Sequence, residues 1–233
     1  MHKLALFTLL SAGALLAQEA TTPDSRLKNA TEVIAEMTGM PDKGVPQDLL
    51  DKAECVVVVP GLKKAAIGLG GQFGRGFMTC RKASGGWGAP ASVKMEGGSA
   101  GLQLGIQSTD VIMLVMNRRG MDKLLSDKFT IGADAAAAAG PVGRNARADT
   151  DAAMHAQILS WSRSRGAYAG ISLQGATLRP DKDENQKLYG RAIANSEIIQ
   201  QNTPPPPAAS GLIAALNKAS MTGGEQADRP AKK

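Results

Sequence analysis

Cys55-Val56-Val57-Val58-Val59 is the stretch whose reading decides the fold. A continuous run of β-branched residues behind one cysteine suits a buried strand, because a half-buried strand would alternate apolar and polar side chains. Pro60-Gly61 follows it and is expected to end the strand. Further short apolar runs come in quick succession: Ile67–Phe73, Gly76–Arg81, Ala91–Met95, Ala100–Gln107 and Val111–Met116, with Ser84-Gly85-Gly86 as a turn. Strands set this close together leave no room for crossover helices. They argue for an α+β domain built on an antiparallel sheet or small barrel of short strands, not for βαβ units.

Helical patterns lie on both sides of this block. Leu27, Ala30, Ile34 and Met37 recur at helical spacing, with Pro23 fitting the first turn and Gly39 the stop. The polar face of this helix mixes Arg26, Lys28, Glu32 and Glu36, so its apolar stripe is expected to pack on the core; the alternative is a membrane-surface helix. A short helix is expected over Pro46–Lys52, then others over Arg118–Ser126, Met154–Arg163 and Asn185–Gln201, with a returning strand over Tyr168–Leu173. The alanines of Ala135–Ala139 favour helix on propensity, but they also suit a small-residue layer packed closely on another element. Thr203-Pro204-Pro205-Pro206-Pro207 reads as an extended boundary, followed by a short docking helix over Leu212–Leu216 and a disordered polar tail. The organisation expected is a leader over 18–25, one domain over 26–202 and a proline-rich linker and tail over 203–233.

Composition narrows the function. Hydrophobic residues make up 43% and aromatics only 3%, with 27 glycines, so the core must be built from aliphatic side chains and tight backbone approach. Met1-His2-Lys3 followed by an apolar run from Leu4 to Leu16 reads as an export signal over 1–17, cut after Ala17 or Ala20. A soluble protein, or one peripheral to a membrane, in a bacterial periplasm or outside the cell is expected. Loss of Lys3 would take the net charge from +6 to +5. That mild basic excess favours an anionic partner, and export favours phospholipid over nucleic acid. Cys55 and Cys80 could form one cross-strand disulfide in an oxidising compartment or remain two buried thiols. No Cys or His pair has metal-ligand spacing, and no cofactor motif is present.

Several motifs carry chemistry on their face. Gly97-Gly98-Ser99-Ala100-Gly101 matches the nucleophile elbow G-x-S-x-G, but the residues after Ser99 alternate as a strand where an elbow needs a helix. A hydrolase using Ser99 is therefore the weaker alternative. Gly68-Leu69-Gly70-Gly71-Gln72-Phe73-Gly74 has Phe73 where a dinucleotide fingerprint needs its third glycine. Gly140-Pro141-Val142-Gly143-Arg144 joins a tight bend to a cation, which suits either a phosphate nest clamped by Arg144 or a plain turn. Trp161-Ser162-Arg163-Ser164-Arg165-Gly166 sets two arginines beside a scarce tryptophan, and Lys63-Lys64 and Arg118-Arg119 add basic pairs.

These segments, in this order, resemble the SYLF-domain family of lipid-binding proteins. The resemblance rests on Cys55–Pro60, Gly85-Gly86-Trp87-Gly88-Ala89-Pro90, Gly97–Gly101, Ala139–Arg144, Trp161–Gly166 and Tyr189-Gly190, and covers roughly residues 26–217. The chain departs from the usual pattern at Gly88, where the family has Trp-Ser-Ala-Pro, and at Trp161-Ser162, where it has Tyr-Ser. The resemblance implies a non-enzymatic domain that binds phospholipids, phosphoinositides included in eukaryotic members, with actin a partner only of eukaryotic relatives and, in eukaryotes, an N-terminal amphipathic helix in membrane contact that would map onto Leu27–Met37 here. The function expected is binding of anionic phospholipid head groups in the cell envelope through Lys63, Lys64, Arg144, Arg163 and Arg165, with no catalytic residues. A protein-interaction or scaffold module is the alternative.

Overall fold

The computed structural model describes residues 22–40, 44–67, 69–100, 105–142, 155–164 and 167–227. The segment read as an export signal, and Arg144 and Arg165, lie outside the described residues.

Among the described residues nine strands form one sheet: β1 (Cys55–Ile67), β2 (Leu69–Cys80), β3 (Ala91–Ala100), β4 (Gly105–Val115), β5 (Phe129–Thr130), β6 (Ala137–Ala139), β7 (Ile158–Ser164), β8 (Ala167–Gly170) and β9 (Thr177–Pro180). Their order is β5-β9-β3-β2-β1-β4-β7-β6, with β8 paired to β7 beside β6. The central order β3-β2-β1-β4 is a Greek key, in which β4 returns to lie beside β1. All pairings are antiparallel except β6 with β7. The sheet curls into a half-barrel within a single α+β domain, as the sequence reading expects. Among the described residues six α-helices pack on it: α1 (Pro23–Gly39), α2 (Gln47–Lys52), α3 (Arg118–Leu124), α4 (Lys182–Tyr189), α5 (Asn195–Gln200) and α6 (Ser210–Ala227).

Both faces of the sheet are buried, which is why Cys55–Val59 shows no alternation. Val56 and Val58 point to one face, with Phe77, Ile112, Leu114, Leu159 and Trp161, against Leu27, Ala30 and Ile34 of α1 and Leu212 and Leu216 of α6. Cys55, Val57 and Val59 point to the other, with Met78, Val93, Met113 and Val115, against α3, α5 and the β5–β9 edge. The apolar stripe of α1 is therefore spent on the core. Thr22 caps its first turn by accepting the Ser25 N–H, and Pro23 stands where a missing N–H costs nothing. Cys55 and Cys80 are directly paired across β1 and β2 and form a disulfide, which closes the alternative of two thiols.

Several expected elements take another form. Pro60-Gly61 does not end β1; it makes a β-bulge inside it. Val58 pairs with Phe77 and Lys63 with Phe73, so five steps along β1 answer four along β2. Pro60 contributes no N–H to the ladder, Gly61 takes the left-handed φ of 60° that bulges favour in glycine, and its N–H donates to Asp110 Oδ1 at 2.9 Å. The helix expected over Met154–Arg163 is strand β7 from Ile158 onward. Ile158 and Leu159 are buried on opposite faces, so the run shows no period of two, and apolar periodicity alone does not separate a buried strand from a helix. The helix expected over Asn185–Gln201 is two helices, parted where Gly190 adopts φ 69°. Ala137–Ala139 is a strand, the small-residue layer of the two alternatives: Gly140 beyond it lies so close to Trp161 that an added Cβ would stand 2.0 Å from the ring.

Helix α6 closes the α1 face. Arg81 donates to the carbonyls of Leu50, Asp51 and Ala53 at the C-terminus of α2, where a cation is favoured, and stacks 4.5 Å over Trp87. Trp87 Nε1–H donates to Ser220 Oγ, which ties α6 to the same corner. No helix among the described residues is long and apolar enough to cross a membrane.

Candidate functional site

The bulge changes which side chains face α1. Before it, even-numbered β1 residues do so; after it, Leu62 joins the opposite core and Lys63 turns toward α1. The same end of the sheet presents Phe73 and Arg75 from β2, Ser108 and Asp110 from β4, and Arg163 from β7. Opposite them stands one edge of α1, with Arg26, Asn29, Glu32, Val33 and Glu36 spaced for a single helix face. Between the two walls lies a cleft of about 510 Å³, a size that holds a small ligand. Phe73 stands at it 47% exposed, an exposed large apolar side chain beside its cross-strand neighbour Lys63.

Ion pairs organise the cleft. At one end Asp181, fully buried before the N-terminus of α4, takes Arg75 Nε at 3.2 Å and Lys94 Nζ at 3.4 Å. Glu184, also buried, takes Arg26 and, at 3.6 Å, Arg75. Burial and then the neighbouring Arg75 lower the pKa of the Arg26 guanidinium, while Asp181 opposes the shift. At the other end Arg163 pairs with Glu36 of α1 and, through Nε at 3.0 Å, with Asp110, its cross-strand partner. Asp110 also accepts the Gly61 N–H, so one carboxylate ties the bulge to the cleft. The cleft lining carries Arg26, Lys63, Arg75 and Arg163 against Glu32, Glu36 and Asp110, and only with the buried Asp181 and Glu184 and their partner Lys94 counted behind it do cations and carboxylates balance. Buried carboxylates keep their charge at low cost only when so paired. Beneath α1 the Tyr168 hydroxyl donates to Val33 O at 3.0 Å, and burial pushes its pKa up to about 12.

Of the site residues expected from sequence, Lys63 and Arg163 line this one cleft. Lys64 follows Lys63 in the strand, and the pleat sends it to the opposite face. Arg144 and Arg165 lie outside the described residues. The described part of the Gly140–Arg144 motif has a packing use: Gly140 seats the Trp161 ring and Pro141 O accepts its Nε1–H at 2.8 Å. Ser99 lies within β3, paired with Gly70, and not at the strand-to-helix turn that a nucleophile elbow needs. Sequence reasoning missed Arg26, Arg75 and Phe73. Arg75 left a signal, since it is the lone charge between Ala65 and Cys80, in the gap between two runs read as strands that the structure joins into one.

Residues 96–219, more than half of the chain, match the family model Ysc84, described as Las17-binding protein actin regulator. The chain is similar to the SH3 domain-containing YSC84-like protein 1 of Rattus norvegicus, 29% identical over 199 residues that make up 83% of this chain and 58% of the relative. The Homo sapiens protein of the same name is 28% identical over the same shares. LAS seventeen-binding protein 3 of Saccharomyces cerevisiae is 31% identical over 64% of this chain and 33% of its own length. The chain thus spans little more than half the length of the animal relatives and a third of the yeast one.

Proposed function

The chain belongs to the Ysc84 (SYLF-domain) family, and from that premise we propose that it is a non-enzymatic binding module that seats phospholipid head groups in the cleft between α1 and the sheet. The observation that carries this reading is the pairing of Lys63 with exposed Phe73 at the cleft. Lys63 is a cation without an ion-pair partner among the described residues, and Phe73 is an aromatic ring left in solvent beside it. An aromatic and a cation side by side suit the boundary between acyl chains and phosphates. The basic excess of the whole chain would draw it to an anionic surface, and the cleft would then take a phosphate. The Cys55–Cys80 disulfide supports a place in an oxidising compartment, as the N-terminal pattern does.

Sedimentation with phosphatidylglycerol vesicles tests the reading. Lys63→Gln should weaken binding about fivefold at low salt, the worth of roughly one cation near an anionic surface, and added salt should shrink that difference. Phe73→Ser should weaken it at any salt. Vesicle binding unchanged by both substitutions would sink the reading. The second reading, a protein-interaction module, is favoured by the Las17-binding, actin-regulating description of the family and by its SH3 domain-containing animal relatives. It gains ground if both variants sediment like the parent chain.

A further inference from the structure

This inference deepens the head-group reading and rests on it. Of the charges that line the cleft, Arg26, Arg75 and Arg163 are held by carboxylates, and Glu36 and Asp110 are held by Arg163. Two remain: Lys63 on the sheet wall and Glu32 on the α1 wall, both exposed, neither in an ion pair among the described residues. We infer that the cleft selects a head group carrying both a phosphate and a primary ammonium, the phosphoethanolamine type, with the phosphate at Lys63 and the ammonium at Glu32.

The charge balance favours this ligand over its neighbours. A purely anionic head group satisfies Lys63 but brings negative charge beneath Glu32 and Glu36. A phosphocholine carries a positive charge with no N–H to give a carboxylate, so it loses the charge-assisted hydrogen bond that a primary ammonium makes. A phosphoserine adds a carboxylate for which the walls hold no further free cation among the described residues. A phosphoethanolamine is neutral overall, as the cleft is once the ion-pair partners behind its lining are counted. With its polar end between the walls, its acyl end would lie toward Phe73.

Calorimetric titration of the protein as the cell makes it, with glycerophosphoethanolamine, glycerophosphocholine and glycerol 3-phosphate, tests the assignment. Glycerophosphoethanolamine should bind about fivefold more tightly than glycerophosphocholine. Glu32→Gln should abolish that preference, weakening glycerophosphoethanolamine more than glycerophosphocholine because only the former loses a hydrogen bond as well as an opposite charge, whereas Lys63→Gln should weaken all three. Equal affinity for the two zwitterions, tighter binding of glycerol 3-phosphate, or a preference that survives Glu32→Gln overturns the inference. Phosphatidylcholine vesicles with and without admixed phosphatidylethanolamine separate the sources. Retention raised by the ethanolamine lipid is the result expected; soluble ligand bound without such a gain makes the ligand a free phosphoethanolamine compound and overturns the lipid. If phosphatidylglycerol vesicles bind through Lys63 while the preference is absent, this inference alone falls. If no probe and no vesicle binds, the head-group reading falls with it.

Discussion

On the α1-facing side of the sheet, the strands carry Val56, Val58, Phe77, Ile112, Leu114 and Trp161 before the Pro60-Gly61 bulge, all within 1% of full burial. Beyond the bulge the same strands carry Lys63, Phe73, Arg75, Asp110 and Arg163. One inserted residue separates a packed core from a charged cleft. The core end is held by apolar area removed from water, the larger force per residue. The cleft end is held by ion pairs, which fix geometry more than they stabilise. The core end is thus the scaffold, and the cleft end is free to meet a ligand.

Trp161 and Arg163 make the sharpest contrast, being two residues apart on the same face of β7. Trp161→Ala should cost about 3–5 kcal/mol in urea unfolding, because it empties a fully buried site against Gly140. Reduction of the Cys55–Cys80 disulfide, which spans 25 residues, should cost about 3 kcal/mol while leaving the cleft residues in place. A reduced protein that loses vesicle binding before it unfolds would break the division between scaffold and cleft. Gly61→Ala sits on the boundary itself. The left-handed φ should make it cost about 1–2 kcal/mol, and loss of head-group binding beyond that loss of fold would show that the bulge sets the cleft. Arg163→Gln should cost at most about 1 kcal/mol of stability, since its partners are part-exposed.

The smallest effect at neutral pH is the most selective. Tyr168 and Tyr189 are the two tyrosines of the chain, and burial raises both pKa values, Tyr168 to about 12. The unfolded chain ionises its tyrosines near the ordinary value, so the neutral buried phenols contribute stability that is complete below pH 10 and falls away as pH rises toward 12. Tyrosinate absorbance should therefore stay low through pH 10 and rise together with unfolding. An early rise would show that α1, whose Val33 carbonyl accepts from Tyr168, is held less firmly than the core.

Local chemistry in the sequence determined the α+β class, the strand at Cys55–Val59, the helix at Pro23–Gly39 with its proline start, and the likeness to one family. Each rests on neighbours along the chain: a β-branched run, a 3.6-residue period, a set of glycines and tryptophans in order. What only the tertiary structure decided was anything that depends on burial from both sides or on register. β7 reads as helix because both of its faces are covered, and β1 reads as ending at Pro60 because a bulge and a stop share the same residues. The cleft was half legible. Lys63 and Arg163 stand out as cations beside strands, but the bulge that turns Lys63 toward α1 and Lys64 away adds one residue to a register that no local pattern records. The carboxylates that hold Arg26 and Arg75 come from α4 and the residue before it, more than a hundred positions downstream, and only folding brings such charges within reach of one another.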